Sequence, residues 1–310
     1  MFFILFRDIT LADKPVFDDV FRRVQYSGSE CTFTNLFIWR SCYDIRWAWE
    51  DGFLLIQVTR EKERFLLPPL GGEDAALPSV LEKLCAHFGP FEMRGIYREI
   101  VEKLEDILPG RFAFYLDRSN SDYIYLADNL ASLAGRKYHQ KKNHVNSFRK
   151  AYPNYRYLPM DKNITVDCLA FAQEWKESRD GAESDESLLC EMSAITEALT
   201  NFGALGIQGG VIVIDGKVEA MTFGEMLNAD TAVIHVEKAN PAIRGLYAVI
   251  NQEFCQRAWA QVKYINREED MGIEGLRKAK LSYQPKYLLD KFTAKINFGA
   301  GDADKNVEKA

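Results

Sequence analysis

Two stretches of the chain share one pattern: Trp47-Ala48-Trp49-Glu50-Asp51-Gly52-Phe53-Leu54-Leu55-Ile56 and Val211-Ile212-Val213-Ile214-Asp215-Gly216-Lys217-Val218-Glu219-Ala220. Each sets Asp-Gly between two apolar runs of strand length. That is the signal of a type I′ hairpin, whose two turn residues both need a left-handed backbone. What surrounds the hairpins also matches. Before the first lie helical patterns at 13–24 and 35–41, and before the second at 167–178 and 186–200. After the first come a strand at 64–67, a helix at 77–88, a strand at 91–94, a helix at 97–108 and a strand at 111–116. After the second come a strand at 231–237, a helix at 242–259, a strand at 262–266, a helix at 274–281 and a strand at 288–296. The order is the same in both halves, which predicts a structural duplication without close sequence identity.

Composition sets the outer bounds. The 310 residues are 47% hydrophobic and 27% charged, enough for two moderate cores. A net charge of -6 provides no global attraction to nucleic acid, so any polyanion must meet a local basic patch. The six cysteines (Cys31, Cys42, Cys85, Cys168, Cys190, Cys255) form no C-x-x-C pair, and His87, His139, His144 and His235 have no metal-ligand spacing. Neither a disulfide framework nor a metal site is expected. Residues 1–6 are too short to span a membrane and read as a first strand, and no other segment approaches the roughly 20 apolar residues of a transmembrane helix. A soluble cytoplasmic protein with reduced thiols is therefore expected, without an integral membrane segment.

Chemistry concentrates in two places. Asn266-Arg267-Glu268-Glu269-Asp270-Met271-Gly272-Ile273-Glu274-Gly275-Leu276-Arg277-Lys278-Ala279-Lys280-Leu281-Ser282-Tyr283 runs three carboxylates into two glycines and then three cations. Like charges in sequence repel, and the glycines suggest a backbone brought close to something else. Glu268, Glu269 and Asp270 are candidates to take a proton from an attacking amine or to hold a cationic acyl group, and Tyr283 to act as a proton donor. Gly272, Gly275, Arg277, Lys278 and Lys280 would form an anion cradle at the start of a short helix. Asn266 and Arg267 would fix the loop or orient substrate. The alternative is that Asp270 caps the helix, the glutamates are solvated and Tyr283 packs before Pro285.

The second place is Arg136-Lys137-Tyr138-His139-Gln140-Lys141-Lys142-Asn143-His144-Val145-Asn146-Ser147-Phe148-Arg149-Lys150. On a helical wheel Tyr138, Val145, Phe148 and Tyr152 share a stripe, with Lys141 close to its centre and Lys142 and Arg149 at its edge. Cations on a buried face are costly unless they are paired or aimed into a cleft. Lys137, His139, Lys141, Lys142, Asn143 and Arg149 are thus candidates for binding an anionic donor. The other reading is an interdomain helix whose lysine stems snorkel. No P-loop, dinucleotide fingerprint or nucleophile elbow occurs.

Two helices, a meander, then strand, helix, strand, helix, strand resembles the layout of the GNAT-type acyltransferase fold, and Phe6-Arg7-Asp8-Ile9-Thr10-Leu11-Ala12-Asp13 resembles its usual opening. The resemblance implies an α/β fold of mixed sheets in two tandem GNAT-like domains, at 1–134 and 156–298, with the reaction centre in the second. A basic helix at 135–155 would link them, and 299–310 would be a flexible tail. In Ala239-Asn240-Pro241-Ala242-Ile243-Arg244-Gly245-Leu246-Tyr247-Ala248 the family's pyrophosphate loop keeps Arg244-Gly245 as donor-binding candidates but loses its second glycine, which predicts poor CoA binding. Residues 135–150 and 264–285 further resemble the C-terminal domain of phosphatidylglycerol lysyltransferases and, more distantly, Fem-type aminoacyl transferases. That resemblance implies acyl or aminoacyl transfer, with an anionic donor such as aminoacyl-tRNA or acyl-CoA and a lipid head group or small amine as acceptor. Two further readings are a CoA-dependent N-acyltransferase and a non-catalytic anion-binding module on a decayed transferase fold.

Overall fold

The computed structural model describes residues 4–178 and 185–296; the expected tail at 299–310 lies outside the described residues. The chain begins with β1 (Arg7–Asp8), α1 (Lys14–Val24), α2 (Phe33–Trp39), β2 (Arg46–Glu50), β3 (Phe53–Arg60) and β4 (Glu63–Leu66). It continues through α3 (Leu77–Phe88), β5 (Glu92–Ile96), α4 (Arg98–Ile107), β6 (Phe112–Leu116), β7 (Asp122–Leu126) and α5 (Ala127–Ser132). The basic helix α6 (His139–Ala151) leads to β8 (Arg156–Pro159), α7 (Thr165–Glu177), α8 (Asp185–Thr200), α9 (Phe202–Leu205), β9 (Gln208–Ile214) and β10 (Lys217–Met226). The last elements are β11 (Thr231–Ala239), α10 (Leu246–Ala258), β12 (Tyr264–Asn266), α11 (Glu274–Leu281), β13 (Tyr287–Leu289) and β14 (Phe292–Ile296). No helix among the described residues is long and apolar enough to cross a membrane.

Both hairpin turns form as expected. Asp51 and Gly52 have φ of 48° and 83°, and Asp215 and Gly216 have 50° and 84°, the paired left-handed residues of a type I′ turn. The first strand differs from expectation, since Ile4 is buried but the strand is Arg7–Asp8, paired with β2.

Each sheet has seven strands, ordered β1-β2-β3-β4-β5-β14-β6 and β13-β7-β12-β11-β10-β9-β8. The halves therefore trade strands: β7, from the first half, sits between β13 and β12, and β14, from the end of the chain, sits between β5 and β6. Sheet membership does not follow a division near residue 134. Neither β7 nor β8 was expected, because Asp122–Leu126 runs straight into a helix with no turn dipeptide to mark it. One core lies between the sheets and α1, α2, α7 and α8; a second lies under α5, α6 and α10 on the far face of the second sheet.

The exchange brings two crossing segments side by side, 117–121 and 290–291, joined by Asp117 N–H donating to the Lys291 carbonyl at 2.8 Å. At this crossing the Lys291 ammonium is buried and meets Asp122 Oδ1 at 2.8 Å, Glu30 Oε1 at 2.6 Å and Ser29 Oγ at 3.2 Å. Asp122 also accepts from the Ser29 backbone N–H and from Asn266 Nδ2, each at 2.8 Å. Every partner a buried ion pair needs is thus supplied by a different part of the chain.

A disulfide corrects the expectation of reduced thiols. α2 packs on α8, so Cys42 and Cys190, 148 residues apart, are bonded with Cα atoms 5.6 Å apart. No sequence spacing signals such a pair, because helix packing alone creates it. Arg40 reinforces the seam by pairing with Glu197 at 3.0 Å.

The crossing should govern stability. Lys291→Met leaves the buried Asp122 and the half-buried Glu30 without their cation and should cost about 3–5 kcal/mol in denaturant unfolding. The double change Lys291→Met with Asp122→Asn should recover part of that loss, whereas a loss of under about 1 kcal/mol in the single variant, the worth of an exposed pair, would contradict this role.

Candidate functional site

The second sheet opens where β11 and β12 part. They pair in parallel only through Thr231↔Tyr264, Ala232↔Ile265 and Val233↔Asn266, after which residues 267 and 268 stay hydrogen-bonded to Tyr123 of β7 while β11 continues alone. The register of β10 with β11 skips one residue, His235, between Ile234 and Val236, a β-bulge that turns His235 to the α2 side and Glu237 to the α10 side. Side chains bridge the opening on both faces.

On the α2 face Glu268 is central. Its backbone is left-handed at φ 57°, uncommon for a residue with a side chain, and is held there by its N–H donating to Asn266 Oδ1 at 2.7 Å. Glu268 Oε1 lies 2.9 Å from His235 Nδ1 and accepts from Asn35 Nδ2 at 3.2 Å, while His235 Nε2 lies 3.0 Å from Glu225 Oε1. Burial alone would lower the imidazole, but the two carboxylates outweigh it and hold its pKa up at about 9. His235 is therefore an imidazolium between two carboxylates at neutral pH.

Glu269 is half-buried beside this network. Burial raises its carboxyl; Lys291 opposes that, while Glu268 and Asp122 add to it, and the balance lies at about 7. A carboxyl held there is poised for proton transfer near neutrality.

Asp270 departs from the expected catalytic role. It is fully buried and accepts from Arg277 Nε at 2.8 Å and Nη2 at 2.9 Å, Tyr123 OH at 2.6 Å, Arg118 Nη1 at 3.1 Å and Gly272 N–H at 2.9 Å. Burial pushes its carboxyl up, but these donors prevail and keep it far below the usual carboxylate range. With five donors on two oxygens, nothing remains to receive a substrate proton. The same bonds dismantle the expected anion cradle. Arg277 is spent on Asp270, Lys278 pairs with Glu274 at 2.6 Å, and the Lys280 ammonium donates to the Arg267 carbonyl at 2.5 Å and to that of Glu269. Gly272, at φ 74°, gives its N–H to Asp270, and Gly275 faces open space in α11. The cations fasten the loop because the helix folds back over it.

On the α10 face Arg267 crosses the opening to Glu237 Oε1 at 2.9 Å, and Asn251 Nδ2 donates to Glu237 Oε2 at 2.8 Å. Asn266 is a buried strut, donating to the Ser27 carbonyl at 2.9 Å as well as to Asp122. Tyr283 is buried, its phenol pushed above the usual range by burial. Lys141 Nζ lies 4.0 Å from the Tyr283 ring centre, so α6 meets the carboxylate-bearing stretch.

Helix α6 sorts the other candidates. Tyr138, Val145 and Phe148 are buried as the wheel predicts. Lys137, His139, Lys142 and Asn143 lie on its exposed side, His139 Nδ1 and Asn143 Nδ2 3.4 Å apart. Arg149 is instead tied to Glu253 at 2.9 Å and Tyr155 at 3.2 Å against α10, and is not free to hold a donor. Arg244 is exposed. Gly245, at φ 89°, packs against α6 so closely that a Cβ there would lie 2.6 Å from the His144 carbonyl oxygen, so this glycine admits a helix and not a ligand. Sequence reading missed His235, Glu225, Asn35, Glu30, Asp122 and Lys291. The one available signal was a histidine and three acids inside the strands 217–226 and 231–239.

Similarity to known proteins shows the family and the fold. The family model described as phosphatidylglycerol lysyltransferase, C-terminal, matches residues 21–295. The chain belongs to this family. A crystal structure of a conserved protein of unknown function from Bacteroides thetaiotaomicron VPI-5482 is 41% identical, with a TM-score of 0.88 over 95% of this chain and 100% of that one. The C-terminal domain of a putative lysylphosphatidylglycerol synthetase from Agrobacterium fabrum has a TM-score of 0.62 at 11% identity over 93% of each chain, and FemX has 0.60 at 10% over 94% and 97%. A curated relative, the uncharacterized protein MYCGA3080 of Mycoplasmoides gallisepticum, is 21% identical over 182 residues, 58% of each chain. The fold is the expected one, mixed α/β in two tandem GNAT-like units.

His235 gives the site a defined pH signature. Its folded pKa is raised above the ordinary value near 6.5, so its contribution to stability is fully present below about pH 6.5 and is lost as pH rises through about 9. His235→Gln should be destabilised relative to the parent at pH 6, and the gap should narrow toward pH 10. A pH-independent gap would mean the imidazole is neutral throughout.

Proposed function

We propose that the protein transfers an acyl group, most specifically an aminoacyl group from an aminoacyl-tRNA, to an amine or hydroxyl acceptor, with Glu269 as the general base. The single observation that carries this is a half-buried carboxyl, raised to about 7 by burial, on the loop that follows β12 after it parts from β11, with its own carbonyl fixed by the Lys280 ammonium. In the reaction the acceptor attacks the ester carbonyl of the donor as Glu269 takes the acceptor's proton. The tetrahedral intermediate then collapses, the ester C–O bond breaks, and the leaving sugar oxygen takes a proton, for which the Tyr283 phenol is the candidate donor. Positioning supplies most of the rate. The exposed Arg136, Lys137 and Lys142 would meet the donor's phosphates.

CoA is the weaker donor. The glycine that would face its diphosphate is occupied by α6, and a free helix N-terminus is what such a group needs. A lipid head group and a small amine are both compatible as acceptors.

The test supplies the purified protein with a bulk pool of labelled aminoacyl-tRNA and either phosphatidylglycerol vesicles or a panel of small amines. Label should move to an acceptor, and Glu269→Gln should slow transfer by about 10²–10⁴-fold, the usual worth of a general base. Lys137→Gln with Lys142→Gln should weaken RNA binding and flatten its salt dependence, by about 0.7 in log–log slope per contact on single strands. Transfer from acetyl-CoA but not from aminoacyl-tRNA, or full activity in Glu269→Gln, would contradict the proposal.

A further inference from the structure

On the α10 face two cations approach one aromatic ring from different elements. Lys141 Nζ, from α6, lies 4.0 Å from the ring centre of Tyr283, and Arg267 Cζ, following β12, lies 4.7 Å from it. Their nearest acid is already used. Glu237 has one carboxylate oxygen on Arg267 Nη2 and the other on Asn251 Nδ2. Among the described residues no carboxylate lies within ion-pair distance of Lys141, and Arg267 Nη1 is buried without an acceptor. A buried guanidinium donor left unpaired is rare and costly.

The charges around this spot deepen the imbalance. Burial and the neighbouring Arg267 lower the Lys141 ammonium to about 8, with Glu237 opposing only in part. His144 is lowered as well, by burial and by Lys141 and Arg244. Four basic side chains thus gather where one carboxylate is available. Elsewhere in the site each inward cation has found its acid or carbonyl, as Arg277, Lys280 and Lys291 show. The unbalanced pair is the exception, and an incoming anion would satisfy both donors.

We propose that Lys141 and Arg267 form a seat for an anionic oxygen group of the substrate, a phosphate or a carboxylate, at the ring of Tyr283. The seat lies on the opposite face of the sheet from Glu268 and His235. This deepens the transferase reading and rests on it only in treating the ligand as a substrate.

Calorimetric titration of the full chain with pyrophosphate, inorganic phosphate and acetate, at constant ionic strength, tests it without turnover. The parent should bind at least one of them saturably. Stronger binding of phosphate or pyrophosphate identifies the phosphate source, and equal or stronger binding of acetate the carboxylate one. Lys141→Met should weaken binding by at least about tenfold, the loss of one charge-assisted bond, while Lys141→Arg should retain it. In the absence of anion, Lys141→Met should unfold at the same denaturant concentration as the parent or a higher one, because the substitution removes an unpaired cation. Absence of saturable binding by the parent, or unchanged binding by Lys141→Met, would overturn the seat and leave the role of Glu269 standing. Binding that depends on Lys141 in a protein that transfers no aminoacyl group would sustain the seat and overturn the transferase reading.

Discussion

The ion pair of Lys291 with Asp122 is the constraint on which the rest of the structure depends. Two sheets that exchange strands need a point where both crossings are held, and charge burial makes that point selective: any misplacement leaves an ammonium or a carboxylate without a partner. Lys291 adjoins β14 in the first sheet, and Asp122 begins β7 in the second. Their contact at 2.8 Å ties the end of the chain to its middle. Hydrophobic packing could hold the same sheets together, but it would not dictate which segment crosses where.

The candidate site grows out of that pair. Asn266 donates to Asp122 and receives the Glu268 N–H, which sets the left-handed turn that carries Glu268 and Glu269. Lys280 fastens the next carbonyls, and Asp270, surrounded by five donors, closes the loop. The carboxylates that looked equivalent in sequence therefore have three separate roles. Asp270 holds structure, Glu268 shares a charged histidine with Glu225, and Glu269 is a half-buried carboxyl near neutrality.

Much of the fold was legible because it rests on local rules. The Asp-Gly turns need left-handed pairs, and Tyr138, Val145 and Phe148 repeat with helical period, so hairpins and α6 could be read directly. β7 could not, because its reason to be a strand is its neighbours in the other half's sheet. The site divides in the same way. That residues 266–283 hold chemistry follows from three adjacent acids, which repel one another unless the fold compensates them. Which acid is free depends on Arg277 folding back seven residues and on Lys291 arriving from beyond the loop. Arg149 and Gly245 were read as ligand contacts because a cation at the edge of a stripe and a glycine before a helix are the same in sequence whether a ligand or another helix fills the space. The Cys42–Cys190 bond was invisible for a related reason: only the packing of α2 on α8 defines it.

The central claim is that the strand crossing holds Glu269 as a base near neutral pH. The direct measurement is a carbon-13 NMR titration of the side-chain carboxyl of Glu269 in the intact protein, assigned by the signal that disappears in Glu269→Gln. A midpoint of about 7 is the predicted result. A midpoint at the ordinary glutamate value of about 4.3 would contradict it, because Glu269 would then be a solvated surface carboxylate with no special fitness for proton transfer.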